Sequence, residues 1–276
     1  ALDYYERSLV IREELGDKRG IGASLYNIGL IYHIKDDYEE TLDYYGKSLA
    51  IDEELGDKKG VRHSLNGIGV AYHDKGDYDK ALNYYERSLA IDEEIGDKNG
   101  MGSSLGNIGI VHNDKGDYDK ALDYYERSLA ICEELGDKYG MGNSLGNIGI
   151  VHSDKGDYDK ALDCYARSLA IKEELADKAG MGIILGIIGN LHNFKGDYKK
   201  SQEYLEKSLS IQKEIGLYAD YLIYCTTYLY LAYKNIGKYY DEKEIHTLIK
   251  EAKNIEFHIN LQLYKLLEDK SYLETA

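Results

Sequence analysis

The sequence predicts an all-α solenoid built from antiparallel helix pairs, and three observations carry that expectation. The text repeats. KGDYDKALNYYERSLAI at residues 75–91 returns as KGDYDKALDYYERSLAI at 115–131 and as KGDYDKALDCYARSLAI at 155–171, a step of 40 residues. Within each copy, apolar residues recur at three- and four-residue steps, the period of a helix with one buried face. The chain has no proline, so helices run unkinked to their glycine stops. A stack of such units grows by addition and does not need one central core. A catalytic site needs different residues in fixed places, so near-verbatim repetition speaks for surface rather than chemistry.

The elements follow in order. The chain opens inside a repeat, since ALDYYERSL at 1–9 matches 121–129 and no methionine precedes it. It therefore reads as a fragment of a longer array, with residues 1–216 holding about five full units. The third unit is the template. A first helix, helix A, is expected over 99–115, with Leu105, Ile108 and His112 on one face and Gly109 beside Ile108. Gly116 suits the left-handed position after a helix, and Asp117 suits the N-cap of the next. Helix B covers 118–135, where Tyr118, Ala121, Leu122, Tyr125, Ser128, Leu129 and Cys132 form an apolar stripe. The Gly-Asp pair then returns at 136–137.

Asp37, Asp77, Asp117, Asp157 and Asp197 are thus expected to open helix B, and Asp57, Asp97, Asp137 and Asp177 the following helix A. Losing one such cap costs about 1 kcal/mol. Helix A carries several glycines, Gly102, Gly106 and Gly109 in one unit. Each internal glycine costs about 1 kcal/mol relative to alanine, so packing must hold this helix. After Gly216 the pattern loosens. Residues 217–255 read as a degenerate repeat (helices over 217–237 and 239–255), and 256–276 as a C-terminal capping helix. A solenoid needs such atypical ends to close its last apolar face.

Composition narrows the function. The formal charge of −16 opposes nucleic acid and anionic membranes as partners, since both demand a cationic surface. Cys132, Cys164 and Cys225 form no CxxC pair, which suits a reducing, cytoplasmic compartment. The longest apolar region, 221–233, is too short to span a bilayer. No GxSxG, HExxH or phosphate loop is present, so no catalytic residue is assigned and no enzyme is expected. Nor is a cofactor or metal. His112, His152 and His192 recur once per repeat. Stacked helices lie roughly 10 Å apart, too far to share a zinc ion held at roughly 2 Å. They read as core replacements of tyrosine. The Glu pairs closing helix B (13–14, 53–54, 93–94, 133–134, 173–174) read as a solvated face.

Several columns resemble the tetratricopeptide repeat. In helix A they are Leu25, Ile28–Gly29 and Tyr32, then Leu65, Ile68–Gly69 and Tyr72. In helix B they are Tyr78, Ala81, Tyr85 and Ser88, then Tyr118, Ala121, Tyr125 and Ser128. The resemblance is strong from residue 1 to about 215 and weak over 217–255. Two features depart from it. Histidine replaces the tyrosine at 112, 152 and 192, and the proline that usually ends helix B is Glu53, Glu93, Glu133 or Glu173. Helix B then continues, which accounts for a 40-residue period in place of roughly 34. That long period is similar to kinesin light chains, Pins-type spindle-orientation adaptors and bacterial peptide-responsive regulators. The resemblance implies a right-handed superhelical solenoid whose concave wall, mostly helix A, binds a peptide or helix.

On the family's geometry the groove would be lined by Asn27, Asn66, Ser103, Asn107, Ile110 and Asn113, continuing with Asn143, Asn147, Ile150 and Asn190. Asparagine amides both donate to and accept from a peptide backbone. The competing expectation is that these amides tie neighbouring helices together. No Lys or Arg stands in these columns, which opposes binding of acidic carboxyl-terminal tails. The reading is a protein–protein interaction module. Two alternatives stand beside it. One is a regulatory arm that holds a segment of its own full-length chain and controls an attached effector. The other is a structural scaffold that self-associates through uncapped ends, such as the apolar face of residues 1–15.

Overall fold

The computed structural model describes residues 1–216, 219–251 and 257–267. Every regular element among them is an α-helix. The chain divides into two compact units, residues 1–140 and 141–276. The first holds α1 (Leu2–Leu15), α2 (Lys18–His33), α3 (Tyr38–Leu55), α4 (Lys58–Asp74), α5 (Tyr78–Ile95), α6 (Lys98–Asp114) and α7 (Tyr118–Leu135). The second holds most of α8 (Lys138–Asp154), then α9 (Tyr158–Glu174), α10 (Lys178–Phe194), α11 (Tyr198–Ile215), α12 (Ala219–Ile236), α13 (Glu242–Glu251) and α14 (Phe257–Leu267). Within each unit helices pack on their neighbours in sequence, α2 on α3, α3 on α4, α10 on α11. The all-α, tandem-pair solenoid is therefore what forms. Parts of the C-terminal expectations (217–218, 252–256 and 268–276) lie outside the described residues.

The turns work as the sequence requires. Glycines 16, 56, 76, 96, 116, 136, 156, 196 and 216 all take positive φ. Where the glycine is missing the backbone turns the same way, with Asp36 at φ 58° and Ala176 at φ 53°. Asp17, Asp57, Asp97, Asp137 and Asp177 each accept from the backbone N–H three residues on. Asp37, Asp77 and Asp197 do the same for helix B. Asp117 and Asp157 do not. Their carboxylates lie instead 3.3 and 3.8 Å from the Nδ1 of His112 and His152, an atom that tyrosine lacks in the earlier repeats.

The glycine of each Ile-Gly pair lies against a helix B ring. A Cβ on Gly29, Gly69, Gly109 or Gly149 would sit within 2.6–2.7 Å of Tyr45, Tyr85, Tyr125 or Tyr165. Those tyrosines are buried and supply much of each repeat's core. The small residue of helix B is Ser48, Ser128, Ser168 or Ser208, whose hydroxyl donates to the carbonyl of Gly22, Gly102, Gly142 or Gly182. His112 and His192 are buried and stack on Tyr124 and Tyr204, as Tyr32 and Tyr72 stack on Tyr44 and Tyr84. They do replace tyrosine in the core, while His152, where Cys164 stands in place of the stacking tyrosine, is half-buried. At the C-terminal end, Ile223 and Leu229 of α12 close on Ile245 of α13 and on Ile259, Leu263 and Leu266 of α14. No helix among the described residues is long and apolar enough to cross a membrane.

One column of helix B changes residue type from repeat to repeat, yet the fold buries most of it. It runs Arg12, Asp52, Asp92, Cys132, Lys172, Gln212, and only Arg12 escapes full burial. Its charged and amide members find partners at the helix junctions. Arg12 donates to Gly20 O and Ser24 Oγ. Asp52 accepts from Ser64, and Asp92 from Ser104 with the Arg62 Nε at 3.3 Å. Lys172 donates to Asn143 and Asp177. Gln212 donates to Ser208 Oγ and Gly182 O.

Candidate functional site

The outer face of each helix A is set by what its inner face must do. Leu25, Ile28 and Gly29 pack inward, as do their equivalents, which leaves the residues two to three positions away accessible. In the first unit Ala23, His63 and Ser103 are exposed, and Asn27, Asn66, Asn107, Ile110 and Asn113 are half-buried. These polar side chains divide between local and cross-helix bonds. Asn27 donates to Ala23 O one turn back in α2, and Ser103 to Asn99 O in α6. Asn107 Nδ2 donates to Asn66 Oδ1 at 2.8 Å, linking α6 to α4. Asn113 keeps a buried Oδ1 with no hydrogen-bond partner among the described residues. At the end of the same face His33 Nε2 lies 2.8 Å from Asp74, and His73 Nε2 lies 2.7 Å from Asp114. His63 abuts the Arg62 guanidinium, and partial desolvation of its ring first and that charge second hold its imidazole below the usual pKa.

In the second unit the same columns behave differently. Asn190 Nδ2 donates to the Tyr224 hydroxyl at 2.6 Å and Asn193 Nδ2 to Tyr228 O, so α10 is tied to α12. Burial pushes the Tyr224 phenol far up, which keeps it neutral. Asn143 is exposed and accepts from Lys172 Nζ at 3.2 Å. Asn147 makes no hydrogen bond among the described residues, and Ile150 is 39% exposed. These three residues border a cavity of about 220 Å³ between α8 and α10, with Tyr165 and Ile184 among the groups that line it.

The ten residues read from the sequence thus divide. Asn66, Asn107 and Asn190 join neighbouring helices, Asn27 and Ser103 bond within their own, Asn143, Asn147 and Ile150 surround a cavity, and Ile110 and Asn113 are half-buried outside these groups. Sequence reasoning missed Lys172, because it searched helix A alone. The signal was present, since Lys172 stands in the column of Asp52 and Asp92 on the apolar stripe of helix B. Among the described residues no group of three or more His, Cys, Asp or Glu side chains is placed to hold a metal ion.

Solved structures share this architecture at low identity, which speaks to fold alone. BtubC (BKLC) from P. vanneervenii has a TM-score of 0.70 at 19% identity, covering 79% of this chain and 91% of that one. The quorum sensor NprR from B. thuringiensis, in its apo form, scores 0.65 at 19% identity over 98% and 82%. A Signal Transduction ATPase with Numerous Domains from Pyrococcus horikoshii, with a tetratricopeptide repeat sensor, scores 0.69 at 16% identity over 94% of this chain and 38% of that one. Comparison with curated proteins gave no match. Family profiles described as tetratricopeptide repeat match residues 20–94 and 100–174, and a further one 184–215. With more than half its length so matched and the helix pairs in register with those repeats, the chain belongs to the tetratricopeptide repeat family.

Proposed function

We propose that this chain is a binding module that takes a peptide or helical segment of another protein along the outer face of its A helices, and that it works by recognition rather than catalysis. One observation carries the reading. In a chain of net charge −16, that face presents amides, small residues and aliphatic side chains, without a Lys or Arg in the columns described above. An amide-bearing surface without a Lys or Arg in these columns suits a polypeptide backbone and gives little hold on nucleic acid. Asn143 and Asn147 are the residues we assign to the ligand first, because neither donates its amide to a neighbouring helix. The three cysteines are buried and in no disulfide among the described residues, which accords with a reducing, cytoplasmic setting.

The test is selection of peptides from a random displayed library on the immobilised chain. Binding should fall at least tenfold in the Asn143→Ala/Asn147→Ala double variant, about 1.4 kcal/mol, with unchanged helicity. Selection of no peptide above background would end the proposal. A second reading is a sensor arm that governs an attached effector. It draws support from the two similar structures named as sensors, one of them part of a longer multidomain chain.

A further inference from the structure

At the first junction of the array larger side chains stand where this cavity lies in the second unit. Between α2 and α4 the corresponding space is filled by Tyr26, whose ring stacks on Tyr45 at 4.8 Å and lies against Gly67. Arg62 of α4 stands in the column of Gly142 and reaches from it to Asp92. In α8 both columns are glycine, Gly142 and Gly146. A Cβ on Gly146 would find its nearest neighbours 3.9 Å away, at Ile184 Cδ1 and Ser168 Oγ. So the space is left by deleted side chains, and no backbone occupies it. The walls also change. Ile183, Ile184 and Ile187 stand where the second repeat has His63, Ser64 and Gly67.

We propose that this cavity is a side-chain pocket that receives one large, uncharged apolar side chain of a bound peptide. The inference rests on the peptide-binding reading and adds a specificity to it. Size fits, since an apolar cavity of about 150 Å³ accommodates a benzene ring and this one is about 220 Å³. Charge fits as well. The cation at its edge, Lys172, is already balanced by Asp177 Oδ2 at 3.2 Å, so the pocket is neutral as a whole. An acidic side chain would have to displace Asp177 and enter a chain of net charge −16. Asn143 and Asn147 at the mouth are placed for the backbone on either side of the inserted residue.

The experiment titrates N-acetyl-L-leucinamide into the whole chain with isoleucine methyl groups labelled for NMR. The expected result is saturable shifts at Ile150, Ile183 and Ile187, with N-acetylglycinamide and N-acetyl-L-glutamate amide weaker by about tenfold or more. Gly146→Phe should fill the space, abolish the shifts and leave the melting temperature equal or higher. Ile183→Asn, at a half-buried position, is a second variant expected to weaken binding severalfold without touching the glycine. The proposal is overturned if leucinamide gives no saturable shift, if Gly146→Phe titrates like the parent, or if the glutamate probe binds as well as leucinamide. Peptides that bind the parent and Gly146→Phe alike would remove the pocket and keep the module. Leucinamide binding without any selected peptide would keep the pocket and remove the module.

Discussion

Asp52 and Asp92 bring carboxylates into helix junctions where burial, the largest cause, holds their pKa above the usual carboxylate range. Hydrogen bonds from Ser64 and Ser104 pull the other way but do not win. A carboxyl raised on folding binds its proton more tightly in the native state. Its stabilising contribution is present below the ordinary carboxylate pKa and is lost as pH rises through the folded value. Asp52→Asn, which removes the charge and keeps an acceptor for Ser64, should therefore raise the melting temperature near neutral pH. The gain should shrink as pH falls toward the carboxylate range, read by circular dichroism melts across pH; an equal gain at both ends would refute the account. The amide columns give a second residue-scale prediction. Asn107→Ala strands the half-buried Asn66 Oδ1 and should cost about 1 kcal/mol in urea unfolding. Asn147→Ala should stay within about 0.5 kcal/mol, because Asn147 makes no hydrogen bond among the described residues.

Single helices show how the fold uses glycine in two different ways. Gly109 touches the Tyr125 ring, and an added Cβ would lie 2.7 Å from it, whereas at Gly106 the nearest atom would be Ser128 Oγ at 3.8 Å. Gly109→Ala should thus destabilise by about 1–3 kcal/mol through overpacking. Gly106→Ala should stabilise by up to about 1 kcal/mol through helix propensity alone. Equal effects at the two sites would mean the ring contact does not form. The left-handed turn before α10 offers the reverse change. Ala176 holds φ 53° where most repeats have glycine, so Ala176→Gly should gain about 1 kcal/mol in the same assay. The Glu pairs closing helix B also resolve at this scale. Glu54, Glu94, Glu134 and Glu214 meet Lys18, Lys58, Lys98 and Lys178, the first residue of helix A of the same pair. Both partners are about half exposed, so each pair contributes at most about 1 kcal/mol, and the ladder is a solvated face rather than an acidic site.

For the molecule as a whole, neighbour-only packing makes length adjustable. Deleting residues 75–114 joins α4 directly to α7 through nearly identical text. Mean residue ellipticity should be unchanged, and the urea m-value should fall by roughly one seventh, in proportion to the 40 of 276 residues removed. The deletion also sets Arg62 against Cys132 in place of Asp92, since these two share one column. Arg62→Gly should therefore stabilise the shortened chain while destabilising the full one, where it strips Asp92 of its cation. The same sign in both backgrounds would mean that the column's varied residues are not matched to their own junctions. Such matching is useful here, because nearly identical repeats otherwise have little to distinguish the right neighbour from a shifted one.

The sequence by itself determined the helix pairs, their turns and their 40-residue step, because these are local. A Gly at positive φ, an Asp three residues before its N–H donor, and apolar residues at helical spacing each act within a few residues of the chain. It also placed His112 and His192 in the core, since they occupy a tyrosine column. Only the tertiary structure decided which asparagines are engaged. Asn107 and Asn147 sit in one column with the same neighbours in sequence, yet Asn107 bonds to Asn66 while Asn147 borders a cavity. Tertiary packing likewise made a buried column of Asp52, Asp92 and Lys172, and left open the space that Tyr26 fills elsewhere. The physical reason is that hydrogen bonding and cavity volume depend on side chains brought together from helices about 40 residues apart, and no window on one helix contains both partners.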